Sequence, residues 1–95
     1  MNRGVQISKV IEDLEKGKTF EAVYYRRIYG LLGKEYKKIT VLIYKRKDGF
    51  YYIKDKNTDK KDPVRIKCND AKLMSLYIEE KLMHFKEVED VRNKS

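Results

Sequence analysis

A short turn, Lys47-Asp48-Gly49, constrains the fold of this chain more than any other stretch. It joins two runs rich in β-branched and aromatic residues. Asp-Gly in that position is a strong hairpin signal, because Gly adopts positive φ without steric cost. Two registers are compatible with the turn. A two-residue loop pairs Tyr44 with Ile53, whereas a three-residue loop with a Gly bulge pairs Ile43 with Ile53.

The alternation of side chains favours the three-residue loop, because a slip of one residue would move a strand's whole side-chain set to the other face. In this register one face is apolar, as in a core: Ile39, Val41, Ile43, Tyr51 and Ile53. The opposite face mixes rings with cations: Thr40, Leu42, Tyr44, Arg46, Phe50, Tyr52 and Lys54. We therefore predict a hairpin with one buried face and one basic, aromatic face.

The segments before the hairpin predict two further elements and a turn. We expect a short helix over 8–16 that stops at Gly17, and a strand over 19–29 that is rich in aromatic residues. Gly30 and Gly33 then enclose two leucines. This spacing predicts a turn with an apolar tip, which either enters the core or meets a partner.

The segments after the hairpin predict a strand and a helix. A polar loop over 57–62 leads to a short strand that begins at Pro63. Its apolar positions are expected to face the core, which sends Arg65 and Lys67 to the basic face of the hairpin. Asn69 is expected to cap a long C-terminal helix, with an apolar stripe that closes the core: Met74, Ile78, Leu82 and Phe85.

Together these elements predict one α+β domain over residues 1–95, with the ends at 1–6 and 92–95 frayed. Its expected parts are a short N-terminal helix, a three- to four-stranded antiparallel sheet around the central hairpin, and a long C-terminal helix packed on one face. The alternative is a sheet covered on both sides, in which the first helix lies over Tyr44, Phe50 and Tyr52.

The positive charge follows the hairpin. The chain carries a net charge of +8, and residues 34–67 alone contribute twelve basic against five acidic side chains. A localised positive field attracts polyanions such as nucleic acid, or an acidic protein surface.

Catalysis, metals and cofactors find little support in the sequence. The only histidine, His84, lies beside the predicted apolar stripe, and the only cysteine, Cys68, ends a strand on the predicted core face. No Cys/His spacing matches a metal site. We therefore expect a protein that is not an enzyme and needs no cofactor. A single cysteine and the lack of a long apolar run favour a cytoplasmic protein without membrane contact.

Part of the chain resembles known nucleic-acid-binding families in outline. The segment YKRKDGFYYI, followed by a third strand and IKCNDAKLMSLYIEEKL, resembles the arm-binding domain of tyrosine recombinases, which reads DNA with its sheet. Here, however, an extra helix and strand precede the hairpin. The order helix, strands, helix is also similar to a double-stranded-RNA-binding domain, but the glycine-rich lead and the paired lysines before the last helix are absent.

The sequence thus predicts a small non-catalytic protein that binds DNA or RNA through a basic, aromatic sheet face. Size and composition suggest a regulator of phage or archaeal-virus type, acting in the host cytoplasm. The expected contact residues are Tyr44, Lys45, Arg46, Lys47, Phe50, Tyr52, Lys54, Arg65 and Lys67. The alternative is a protein-interaction module, such as a viral inhibitor of host defence, that docks on an acidic protein surface. A homodimer joined through the aromatic face is also compatible with the pattern.

Overall fold

The strands of the protein form one antiparallel sheet, in the order β4-β3-β2-β1-β5. The computed structural model describes residues 3–56 and 64–89. The elements are α1 (Arg3–Glu15), β1 (Thr19–Gly30), β2 (Gly33–Lys45), β3 (Tyr51–Asp55), β4 (Val64–Cys68), α2 (Ala71–Lys81) and β5 (Leu82–Val88). The α+β class is confirmed, with five strands in place of three or four. The predictions for 57–63, including Pro63, and for 92–95 lie outside the described residues.

The β2–β3 hairpin adopts the predicted three-residue loop. Ile43 lies opposite Ile53. The amide of Arg46 donates to the carbonyl of Phe50 at 3.0 Å, which closes the loop. Gly49 has a φ of 88°, in the left-handed region where a side chain would be strained. The turn therefore sets which side chains of the hairpin face the core.

Helix α1 begins earlier than Ser8, because its apolar stripe extends towards the N-terminus. Ile7 is buried in the core, and residues 3–6 are helical, although they were expected to fray. The helix stops at Gly17, as predicted, with a φ of 88°. The amide of the following residue donates to the carbonyl of Asp13 at 3.0 Å, a hydrogen bond typical of a Schellman ending.

Both helices pack on the same face of the sheet, the one that carries Ile43 and Ile53. The buried cluster combines residues from both helices and four strands: Ile7, Val10, Leu14, Phe20, Ala22, Val41, Ile43, Tyr51, Ile53, Met74, Ile78 and Leu82. A sheet covered by one helix on each side is thus ruled out. We name the opposite surface, which points away from α1 and α2, the helix-free face.

The prediction of one long C-terminal helix is wrong. Helix α2 is capped by Asp70 rather than Asn69, and the carboxylate of Asp70 accepts from the amide of Lys72 at 2.9 Å. The helix ends at Lys81, and the chain continues directly into β5, which pairs with β1. Strand β5 satisfies backbone groups along an edge of β1 that a continuing helix would leave without a partner.

A bulge lets the C-terminal strand keep Leu82 and Phe85 on the core side. Between Glu21 and Val23 of β1, the register shifts so that β5 contributes one extra residue. The stretch contains His84, whose φ of 59° lies in the left-handed region. Leu82 is buried in the core, and Phe85 packs against it. The same two residues that suggested a helical stripe therefore reach the core from a bulged strand.

Candidate nucleic-acid interface

Two rings of the helix-free face are stacked on each other. Tyr44 and Tyr52 are directly opposite in the β2–β3 register, with ring centroids 5.3 Å apart and planes 11° from parallel. Only 4% of Tyr44 and 6% of Tyr52 are exposed. Although they point away from the helices, these rings are buried, so they do not offer open surfaces for stacking bases.

Two cations of the same face lie over aromatic rings of the hairpin. The guanidinium of Arg46 is 5.7 Å from the centre of the Tyr52 ring, and the Lys67 ammonium is 4.8 Å from that of Phe50. Such cation–π contacts are worth about 0.5–1 kcal/mol each at exposed sites. Arg46 and Lys67 themselves remain exposed. They present charge to solvent while their rings serve as a platform beneath them.

The tyrosine stack is tied to the turn by a carboxylate. The Tyr52 hydroxyl donates to Asp48 Oδ2 at 2.6 Å, and the amide of Phe50 donates to Asp48 Oδ1 at 2.9 Å. The first of these hydrogen bonds is the main reason that the pKa of Asp48 lies below its ordinary value. The same bond raises the pKa of Tyr52. Asp48 therefore forms its hydrogen bonds within the hairpin, on the same face as Arg46 and Lys67.

Lys45 and Lys47, two of the predicted contact residues, lie apart from this group. The Lys45 ammonium is 2.6 Å from the carboxylate of Glu15 in α1 and 5.1 Å from the centre of the Tyr51 ring, both on the helix side. Lys47 is exposed in the turn and lines a cleft of about 910 Å³ between the hairpin and the end of α1. Lys54 does share the helix-free face, since it pairs with Leu42.

Arg65 lies on the helix side, in contrast to the sequence-based placement. The register of β3 with β4 shifts between Ile53 and Lys54, and this leaves Arg65 as an extra residue. Its guanidinium binds the carboxylate of Asp55, with a second contact at 3.0 Å, and lies 5.2 Å from the centre of the Tyr24 ring. The hydrogen bond to Asp55 raises the pKa of Arg65. This contact holds the Arg65 side chain on the helix side of the sheet, away from the surface that carries Lys67.

Strands β1 and β2 continue beyond the sheet as a two-stranded arm, residues 25–38. Strand β5 pairs with β1 as far as Tyr24, and β3 pairs with β2 only from Val41 onwards. The two strands of the arm pair with each other up to Gly30 and Gly33. Leu31 and Leu32 form the turn between them, and both are fully exposed. The apolar tip that the sequence predicted is therefore present, and it does not enter the core.

One face of the arm alternates tyrosines with cations. By register it continues the helix-free face of the sheet. Its three cross-strand pairs each join a ring to a cation: Tyr25 with Lys38, Arg27 with Tyr36, and Tyr29 with Lys34. The exposed fractions of the three tyrosines are 41%, 63% and 79%, in the same order. Open rings therefore occur on the arm rather than on the hairpin.

Sequence reasoning missed the arm because it began the hairpin at Lys38. The signal was available in the turn: two residues between Gly30 and Gly33 place Tyr29 opposite Lys34. From that pair, the alternation of Lys34 with Tyr36 would have extended the strand to the turn. Burial gave no support for that extension, because every side chain from Lys34 to Lys38 is exposed.

The lone histidine and the lone cysteine lie apart from the helix-free face. His84 is exposed on β5, and Cys68 is half-buried, with its sulfur 3.3 Å from the amide of Asp70. Across 3–56 and 64–89, no group of His, Cys, Asp or Glu could hold a metal ion. Neither of the two helices in these ranges is long and apolar enough to cross a membrane.

Comparisons with known proteins give no functional assignment, so any assignment depends on the helix-free face and the arm. No protein-family model matches the chain, and searches of curated proteins and of solved structures found no match either.

Proposed function

We propose that this protein is a non-catalytic nucleic-acid-binding protein that uses its helix-free face together with the arm. The observation that carries the proposal is the sorting of charge. Arg46, Lys54 and Lys67 share one side of the sheet with the ring–cation pairs of the arm. Of the acids near them, Glu21 is paired with Lys56 at 2.6 Å, and Asp48, which accepts from Tyr52, is a single negative charge among these three cations. That side can therefore present its cations to a row of phosphates.

The two parts of this surface have different roles in the proposal. On the hairpin, Tyr44 and Tyr52 are buried and Phe50 is half-buried, so Arg46 and Lys67 would contact phosphates without base stacking. On the arm, Tyr25, Tyr29 and Tyr36 are exposed, and aromatic rings of this kind can pack against bases or sugars. Contacts to phosphates position a protein on nucleic acid but carry no sequence information.

For the compartment and the biological role, we keep the hypothesis that the sequence suggested. We place the protein in the cytoplasm, a reducing compartment in which a single cysteine stays a free thiol. A regulator of phage or archaeal-virus type remains part of this hypothesis, on the basis of size and composition alone.

A salt titration tests the proposal. Fluorescence anisotropy is measured on labelled duplex and single-stranded DNA and RNA, with the parent protein and with the triple variant Arg46→Gln, Lys54→Gln, Lys67→Gln. If these three cations contact duplex phosphates, the slope of log K against log salt should fall in magnitude by about 2.7. A matched variant, Lys16→Gln, Lys72→Gln, Lys81→Gln, removes the same charge from α2 and the end of α1 and should keep the parent slope.

Two outcomes would contradict the proposal. One is that no nucleic acid binds even at low salt. The other is that the helix-side variant loses as much of the slope as the triple variant, which would mean that net charge alone drives binding. In the first case, retention of an acidic host protein from nuclease-treated lysate would favour the protein-interaction alternative. Light scattering that gave twice the chain mass would favour the homodimer.

A further inference from the structure

The arm reaches well beyond the sheet that supports it. Six residues of β1, from Tyr25 to Gly30, extend past the last pair with β5, and a strand rises about 3.3 Å per residue. The arm is therefore about 20 Å long and one β-hairpin wide. Two-stranded β-ribbons can lie in the major or the minor groove of a duplex.

Cations run along one face of the arm and also occur at the base of the other, where the more distal pair is Ile28 with Glu35. Arg27, Lys34 and Lys38 lie on the face that continues the helix-free face, whereas Arg26 and Lys37 pair with each other on the opposite face. Over residues 25–38 there are five basic side chains and a single acidic one. A single strand would lie along one face only. A groove has a phosphate row on each side, and the long side chains at the base of the arm, Arg26 and Lys37 with Lys38, can reach towards both rows, which favours a duplex.

The tip of the arm is apolar, whereas the rest of the arm is basic. Leu31 and Leu32 are fully exposed and adjacent, at the end farthest from the core. Proteins that bend DNA often insert an apolar side chain of this kind between base pairs, which partly unstacks them and kinks the duplex. This arm combines basic side chains along its strands with two exposed leucines at its tip.

We propose that the arm enters a groove of duplex DNA and that Leu31 and Leu32 insert between base pairs at its tip, so that the protein bends the duplex. This inference rests on the proposed nucleic-acid binding and names its target. A membrane surface is the other polyanion that an apolar, basic tip could suit. It would engage only the distal end, whereas the cations continue down to Lys38 and onto the sheet.

Bending is measured by energy transfer between dyes at the two ends of a short duplex. The parent protein should bend the duplex by about 20–90°. The tip variant Leu31→Ser, Leu32→Ser should still bind, with the parent salt slope because no cation is lost, but should leave the duplex close to straight. The control is Leu73→Ser, Leu76→Ser, which removes two exposed leucines from α2 and should bend DNA as the parent does.

The outcomes separate this inference from the one on which it rests. If the parent binds no duplex, the proposed function fails first. If the parent binds but leaves the duplex straight, or if the tip variant bends it as the parent does, only the wedge is overturned. Binding to phosphatidylserine vesicles that the tip variant alone loses, without bending of DNA, would assign the tip to a membrane and overturn the wedge. Circular dichroism confirms that each variant is folded.

Discussion

Replacing His84 by glycine should stabilise the protein, because its φ of 59° is in a region that side chains avoid. For a residue with a Cβ, the left-handed conformation costs roughly 1–2 kcal/mol. Glycine removes that cost but loses about 0.5–1 kcal/mol more backbone entropy on folding. His84 is exposed, so little packing is lost. The expected net gain for His84→Gly is about 0.5–1 kcal/mol of unfolding free energy.

The sign of this change distinguishes a bulged strand from a helix at this position. In a helix interior, glycine is among the least favourable residues, and His84→Gly would cost several tenths of a kcal/mol. Urea unfolding gives the free energy, and thermal unfolding should show a midpoint several degrees higher, at about 4–8 °C per kcal/mol for a domain of this size. Glu80→Gly in helix α2 is the control and should cost several tenths of a kcal/mol. A less stable His84→Gly variant would refute the bulge.

Two further predictions concern the turn and the β4 bulge. Because the folded-state pKa of Asp48 lies below its ordinary 3.8, its contribution to stability is present above that pH and is lost as the pH falls through the lowered value. Tyr52→Phe removes the main cause, so the Asp48 pKa, followed by carboxyl NMR titration, should rise; an unchanged pKa would exclude the Tyr52 hydrogen bond as its source. Arg65→Gln should lower the free energy of unfolding by about 1 kcal/mol, since it breaks a two-point contact with Asp55. For this variant, the slope of log K against log salt should equal that of the parent. A slope smaller in magnitude by about 0.9 would show that Arg65 contacts a phosphate.

The hairpin register was predictable from the sequence because side-chain direction in a strand repeats every two residues. Once Ile43 and Ile53 are required to face the core together, one loop length remains. The prediction therefore placed Tyr44, Arg46, Phe50 and Tyr52 on one face, where the structure has the rings and cations in contact. It could not foresee that the cations would cover the rings, because composition alone does not separate an open ring from one with an intrachain partner.

The C-terminal strand could not be predicted, because its deciding interaction is far away in the sequence. Leu82 and Phe85 are three residues apart, a spacing that suits a helix and also a strand with one extra residue. The choice depends on the edge of β1, about sixty residues earlier, which β5 pairs with. Arg65 escaped prediction for a similar reason: the bulge that turns it towards Asp55 is a property of two paired strands.

The arm has a consequence that is independent of any ligand. Past Tyr24 and before Val41, the described sheet adds no third strand to either side of the arm, so both of its outer strands run as edges. Unpaired edges of this kind invite strand addition from another molecule, and charged side chains on them are a common protection. The arginines and lysines of the arm therefore also act as a barrier to self-assembly: two arms that approached edge to edge would bring like charges together.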